Sequence, residues 1–244
     1  MDFAPSPQAQ ALADRLQDFL VTRVLPADQE YDAHRAAAGP DEHTVPPVVE
    51  SLKSEARASG LWNLFVPDVS GLSNVEYAAL AEITGWSVDI LPEAMNCQAP
   101  DTGNIETLHP FAMPEQRERW LTPLLEGRSG RPSRMTEPQV ASSDATNIEC
   151  SIVRDGDDYV VNGRKWWASG ANDPRCRILI VMGKTHPTGP AQCQQSMVLV
   201  PVDTPGAEVV RSLPVFGRQD QHGHAEIVFR AARVSGTESA RHAG

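Results

Sequence analysis

The residues whose types and spacing suggest chemistry fall in two runs. The first is Met135-Thr136-Glu137-Pro138-Gln139-Val140-Ala141-Ser142-Ser143-Asp144, and the second is Lys165-Trp166-Trp167-Ala168-Ser169-Gly170. The first sets hydroxyls and small side chains around a rigid proline. The second sets two indoles beside a small hydroxyl residue. A planar aromatic ligand with polar edges needs this mixture: approachable backbone N–H groups, hydroxyls for its heteroatoms and an indole against its ring. Each run also has a plainer use. Ser142, Ser143 and Asp144 suit a turn whose side chains bond the local backbone. Adjacent tryptophans on a strand ordinarily point to opposite faces, one of them into the core.

Other chemistries find less support. There is no G-x-G-x-x-G run and no alternating strand–helix pattern, so a dinucleotide-binding α/β unit is not expected. Gly183-Lys184-Thr185 resembles the end of a phosphate loop, but Ile178 stands where its first glycine belongs. His222-Gly223-His224 lacks a third metal ligand nearby and reads as a turn entering a strand. No G-x-S-x-G elbow surrounds Ser142 or Ser143, which argues against a hydrolase.

The elements that must position these runs change character along the chain. Leu12, Leu16, Phe19, Leu20 and Val24 recur at three- and four-residue steps and predict a helix over 8–24, broken at Pro26. Further helical pieces are expected over 27–38 and over 46–59, the latter with Gly60 after its end. Ser73 and Glu76 form a capping box that opens a helix reaching Gly85. Helical segments are also expected in 86–96, 105–108 and 115–126, the last interrupted by Pro123. From about Met135 the period becomes that of strands: 148–153, 159–163, 177–182, 196–202, 207–213 and 224–229, separated by Gly, Pro and Asp. The fold class expected is α+β, an N-terminal all-α helical domain over 1–130 followed by an antiparallel β-sandwich or barrel over 131–229. Residues 230–244 are small, polar or charged and read as a disordered tail.

The 244 residues carry a formal charge of −11, and 41% are hydrophobic. That composition suffices for a packed core, and an acidic chain gains nothing from counterion release on nucleic acid. Cys97, Cys150, Cys176 and Cys193 form no C-x-x-C pair and are expected to be reduced thiols. No signal peptide is apparent, and the longest apolar runs are too short to span a bilayer, so a soluble cytoplasmic protein is the expectation.

Taken together, Met-Thr-Glu-Pro-x-x-Ala-Ser-Ser-Asp at 135–144, Lys-Trp-Trp-Ala-Ser-Gly at 165–170, Pro-Val-Phe-Gly at 214–217 and His-Gly-His at 222–224 resemble the acyl-CoA dehydrogenase family. The likeness is to the branch of its tenth and eleventh human members and runs from about residue 8 to about 229. It implies an FAD-dependent α,β-dehydrogenation of acyl-CoA thioesters, in fatty acid and lipid metabolism. Electrons would pass to an acceptor such as an electron-transfer flavoprotein, and a homo-oligomer is possible. It implies that Met135 and Thr136 line the flavin ring. Ala141, Ser142 and Ser143 would lie near its ribityl-phosphate and the acyl-CoA, with Ser143 touching substrate. Trp167, Ala168 and Ser169 would cover the ring. The family's catalytic carboxylate belongs to a C-terminal four-helix domain beyond residue 244, so the resemblance assigns no catalytic residue here and implies a partial form. Gly130-Arg131-Pro132-Ser133-Arg134 departs from the apolar strand the family carries there. The other readings compatible with the same motifs are a non-catalytic acyl-CoA or partner-binding module and a flavin monooxygenase or nitroalkane oxidase.

Overall fold

The computed structural model describes residues 4–129 and 133–238. Helices come first and a sheet follows, the expected α+β order. In the first part the amphipathic run forms a helix over Pro7–Phe19, capped by the Ser6 hydroxyl, which accepts from the Ala9 N–H. Pro26 does not end the helical path. Leu20–Val24 widens to a π-turn, Leu25–Ala27 tightens to a 3-10 turn with Pro26 in its first positions, and a helix continues over Asp28–Ala37. Changing the hydrogen-bond step lets the chain pass a residue that has no N–H to donate. Helices at Pro47–Ala58 and Asn74–Thr84 follow, the second opened by the expected capping box of Ser73 and Glu76. Segment 86–96 is less helical than its sequence suggests, with one turn at Leu91–Ala94, and 105–108 belongs to a longer helix, Asp101–Phe111. Leu16, Leu20, Val24, Leu52, Leu61, Leu80, Leu91 and Met95 form this part's core.

Among the described residues, seven strands make the second part: β1 (Ser133–Arg134), β2 (Ser151–Asp155), β3 (Asp158–Ser169), β4 (Ile178–Lys184), β5 (Gln195–Pro201), β6 (Ala207–Ser212) and β7 (His224–Ser235). Their order is β1-β4-β2-β3-β7-β6, with β5 on β4. Long pairings are antiparallel; β4 also makes short parallel pairings with β1 and β2. Ile152, Val161, Val181, Val198, Val200, Ala225, Ile227 and Phe229 fill the core beneath.

Two expected boundaries move. The chain divides into compact units between Thr102 and Gly103 and not near 130. Helical residues 114–125 belong with the sheet because Gln116 Nε2 donates to the Thr237 carbonyl at 2.7 Å and Trp120 Nε1 donates to the Glu238 carboxylate at 3.0 Å. The tail also begins later than 230. β7 runs on to Ser235, antiparallel to β3 with Asp158 opposite Ser235. Its composition looked polar, yet Ala232 and Val234 point inward while Arg230 and Arg233 face solvent, paired with Glu208 and with Asp155 and Asp158. Alternation, not mean hydropathy, decides this strand. The tail residues 239–244 and Gly130-Arg131-Pro132 lie outside the described residues.

Gly163 lets β3 pass close to the start of β2. A Cβ on it would meet Cys150 Sγ at 2.7 Å and Cys150 Cβ at 2.8 Å, at a φ of +157°. Gly163→Ala is therefore expected to lower unfolding stability by about 1–3 kcal/mol, the usual cost of forcing a carbon into a filled core. Urea denaturation of the purified variant measures it.

Candidate functional site

The two runs meet through main-chain and side-chain bonds. Trp166 N–H donates to the Thr136 carbonyl at 3.1 Å. Lys165, with no exposed surface, donates from Nζ to the Met135 carbonyl at 2.9 Å and to Glu137 Oε1 at 2.7 Å. Glu137, also buried, accepts the Cys150 N–H at 3.0 Å on the same oxygen and the Glu149 N–H at 2.8 Å on the other. One carboxylate thus satisfies an ammonium and two backbone donors in an apolar setting, where an unpaired charge would be costly. It fastens the 135–137 segment to β3 and to the entrance of β2. Neither Lys165 nor Glu137 carries a role in the sequence reading. The available signal was an inward position of β3 occupied by a lysine, with a carboxylate in the other run.

β3 bulges at its tryptophans. Lys165 pairs with Ile227 and Ala168 with Ala225, so two residues of β3 face one residue, Glu226, of β7. Lys165 and Ala168 are both buried, and the two indoles between them are turned away from that core. Their ring centroids lie 5.9 Å apart, tilted by 53°. The usual opposite-face arrangement of adjacent strand residues is absent because the bulge breaks the alternation. Trp167 keeps 41% of its surface exposed and adopts φ +50°, a left-handed backbone that is rare for a bulky side chain. Trp166 Nε1 is buried and has no hydrogen-bond partner.

Glu226, opposite the bulge, is buried and held by Arg164 and by Arg211 at 2.6 Å. Burial pushes its carboxyl up, but the bonds from Arg211 and Arg164 outweigh this and leave it below the ordinary carboxylate value. The native state therefore holds its proton less tightly than the unfolded chain. Its contribution is complete above the ordinary carboxylate value and fades as pH falls through the lower native value. Glu226→Gln is expected to flatten the acid side of the stability–pH curve; equal slopes for variant and wild type in acid urea titrations would contradict this.

The remaining residues of the runs divide by direction. Thr136, Ala141 and Ser143 are exposed, and Met135 is half-buried against the sheet core. Ser142 turns inward, and its hydroxyl accepts the Glu137 N–H at 3.0 Å. That is the local turn bond its sequence allowed. Ala168 has its methyl in the core. Ser169 Oγ lies 2.8 Å from His224 Nδ1 on β7, and the Trp167 ring stands edge-on to the same imidazole, centroids 6.0 Å apart. The sequence places His224 at the entrance of a strand and gives it no role of its own. Its link to Ser169 needs the register of two strands separated by 55 positions, which local spacing does not carry. Among the described residues no group of three His, Cys, Asp or Glu side chains could hold a metal.

Residues 133–232 match the acyl-CoA dehydrogenase middle domain. "Probable acyl-CoA dehydrogenase FadE2" of Mycobacterium tuberculosis is 60% identical over 97% of this chain. The chain belongs to the acyl-CoA dehydrogenase family. It spans 58% of the length of that mycobacterial relative. Acyl-CoA dehydrogenase family member 11 of Homo sapiens is 48% identical, with 96% of this chain and 31% of the human protein covered. A solved Mycobacterium abscessus structure assigned to acyl-CoA dehydrogenases superposes with a TM-score of 0.91 at 45% identity, covering 97% of this chain and 61% of that one. The family and branch that the motifs resembled are thus the ones matched.

None of the four cysteines is in a disulfide. Burial pushes Cys150 up to about 11, with the Lys165 charge opposing, and pushes Cys97 up to about 11 against a hydrogen bond to Tyr77. The thiolate is the reactive form, so near neutral pH each should alkylate about a hundredfold more slowly than an ordinary thiol. Exposed Cys193 should be labelled first. Iodoacetamide labelling read by peptide mass spectrometry checks the order, and early labelling of Cys150 in folded protein would contradict it.

Proposed function

We propose that this chain provides one wall of the flavin site of an FAD-dependent acyl-CoA dehydrogenase. The observation that carries the proposal is the Trp166 N–H to Thr136 carbonyl bond, which sets the hydroxyl-rich run beside the exposed ring of Trp167. The residues fit a planar, heteroatom-edged ring. Trp167 offers an uncovered aromatic face, Thr136 an exposed hydroxyl, and Trp166 Nε1 is a buried donor without an acceptor. In this reading Met135 and Thr136 line the ring through backbone and hydroxyl, and Trp167 and Ser169 cover it, Ala168 contributing through its backbone. Ala141, Ser142 and Ser143 lie toward the ribityl-phosphate. Ser142 acts through its main chain, because its hydroxyl already serves Glu137, and Ser143 is the side chain left for the acyl-CoA.

When bound, FAD supplies the acceptor for the substrate's β-hydrogen as hydride. The residues of this chain hold and orient. The Lys165–Glu137 pair keeps the Thr136 segment in register with β3, and the bulge keeps an indole outside the core. An electron acceptor such as an electron-transfer flavoprotein, and association with further copies, belong to the same proposal. Among the described residues no helix is long and apolar enough to cross a membrane. The test is to mix the purified chain with FAD, remove free cofactor and record the absorbance of the recovered protein. A flavin band that stays with the chain and is perturbed from that of free FAD supports the wall. A folded chain that retains no flavin contradicts it.

A further inference from the structure

Two arginines on one face of the sheet are aimed by a single buried carboxylate. Ala225 and Ile227 lie in the sheet core, so Glu226 between them points to the opposite face, the one to which β3 turns its indoles. The Glu226 side chain is 1% exposed and takes a guanidinium on each oxygen. Arg164 on β3 donates from Nε to Oε1, and Arg211 on β6 donates from Nε to Oε2 at 2.6 Å. The arginine side chains themselves are 44% and 60% exposed. A guanidinium is a planar fork of N–H donors, and each of these gives up only its Nε–H to Glu226. Among the described residues no acceptor meets the Nη groups of either. Two guanidiniums and one carboxylate leave a single positive charge in the cluster. The other carboxylate on β6, Glu208, is engaged by Arg230 at 2.7 Å.

We propose that Arg164 and Arg211, oriented by Glu226, form a binding site for a phosphoryl group. Geometry and charge select that chemistry. Each fork matches two oxygens of an anion. A carboxylate has only two oxygens and satisfies one fork; a phosphoryl group has three or more and meets both, and its double negative charge suits a pair of guanidiniums. The chain carries −11 overall, so a dianion gains nothing from the general field and is held only where positive charge is fixed locally. Glu226 does the fixing: by holding both arginines it spares them much of the side-chain ordering that binding otherwise costs. The group can arrive as free phosphate or on a nucleotide, whose base would find the exposed Trp167 ring on the same face. The site does not rest on the flavin reading.

Phosphorus NMR titrations of the purified chain test this, with inorganic phosphate and with adenosine monophosphate, at constant ionic strength and about pH 8, where a phosphate monoester is a dianion. Saturable binding of inorganic phosphate is expected. Arg211→Lys keeps a cation against Glu226, and so the fold, but has no fork; it is expected to weaken binding about tenfold, the worth of one charge-assisted hydrogen bond. Arg230→Gln removes a charge from the same sheet at a residue outside the site and is expected to leave the affinity nearly unchanged. Adenosine monophosphate binding about tenfold more tightly than phosphate, in the range for stacking on one indole, with quenched tryptophan emission, assigns the site to a nucleotide. Equal or lower affinity assigns it to free phosphate, and either result supports the proposal. A phosphate signal that does not saturate with the folded wild-type chain overturns it. So does an affinity that Arg211→Lys lowers no more than Arg230→Gln does, because only the general field is then at work.

Discussion

Glu137→Ala is expected to cost about 3–5 kcal/mol of unfolding stability, the usual loss when one member of a buried ion pair is removed. Three groups lose their acceptor at once: the Lys165 ammonium and the N–H groups of Glu149 and Cys150. Lys165 is completely buried and cannot turn to water in place. The Met135 carbonyl remains as an acceptor for it. A native domain has only about 5–15 kcal/mol to spare, so the variant should unfold at much lower urea or appear largely insoluble. Replacing both charges is the informative control. Glu137→Gln with Lys165→Met leaves an amide to meet the backbone donors and a side chain of similar length in the lysine's place. It should recover a large part of the loss, because a buried charge left alone costs more than a missing pair. A single Glu137→Ala variant within about 1 kcal/mol of wild type, less than one unsatisfied buried group normally costs, would contradict the assignment of this pair as the fastening between the two runs.

Trp167→Gly is expected to separate stability from binding. The left-handed backbone at Trp167 costs a bulky residue about 1–3 kcal/mol and costs glycine almost nothing. Relief of that strain offsets the lost contacts with the Trp166 and His224 rings. The net change in stability should therefore stay within about 1 kcal/mol, since aromatic pairs contribute about 0.5–1.5 kcal/mol each. FAD affinity should fall far more. Stacking of a flat heteroaromatic ring on an aromatic side chain is typically worth about 1–3 kcal/mol, or roughly ten- to a hundredfold in affinity. Fluorescence titration of FAD against variant and wild type, beside urea curves of both, reads the two effects separately. A stability loss of several kcal/mol would mean that the ring serves the fold, which is the plainer role its sequence allowed.

The strands and their order of appearance were legible because alternation and turn residues are local. The capping box at Ser73 and Glu76 was legible for the same reason. What escaped depends on contacts between distant positions. Pro26 reads as a breaker, but a π-turn followed by a 3-10 turn carries the helix past it. Arg230 and Arg233 read as tail, but the turn of the β2–β3 hairpin supplies Asp155 and Asp158 for Arg233. The site divides in the same way. The two runs were visible as words of the right composition, while the bulge that turns both indoles from the core and the Lys165–Glu137 fastening were not. Ser142 shows the cost: its hydroxyl looks available in sequence and is used by Glu137 N–H in the fold. His224 meets Ser169 only through the pairing of β7 with β3, a register that local spacing does not encode.

The most direct measurement is a titration of the purified chain with FAD, followed by fluorescence and by the absorbance of protein recovered after gel filtration. The account expects saturable binding in which the flavin travels with the protein, weakened ten- to a hundredfold in Trp167→Gly, the range for one stacked ring. Flavin eluting wholly as free cofactor from a folded chain, or bound with the same affinity when Trp167 is gone, would contradict it.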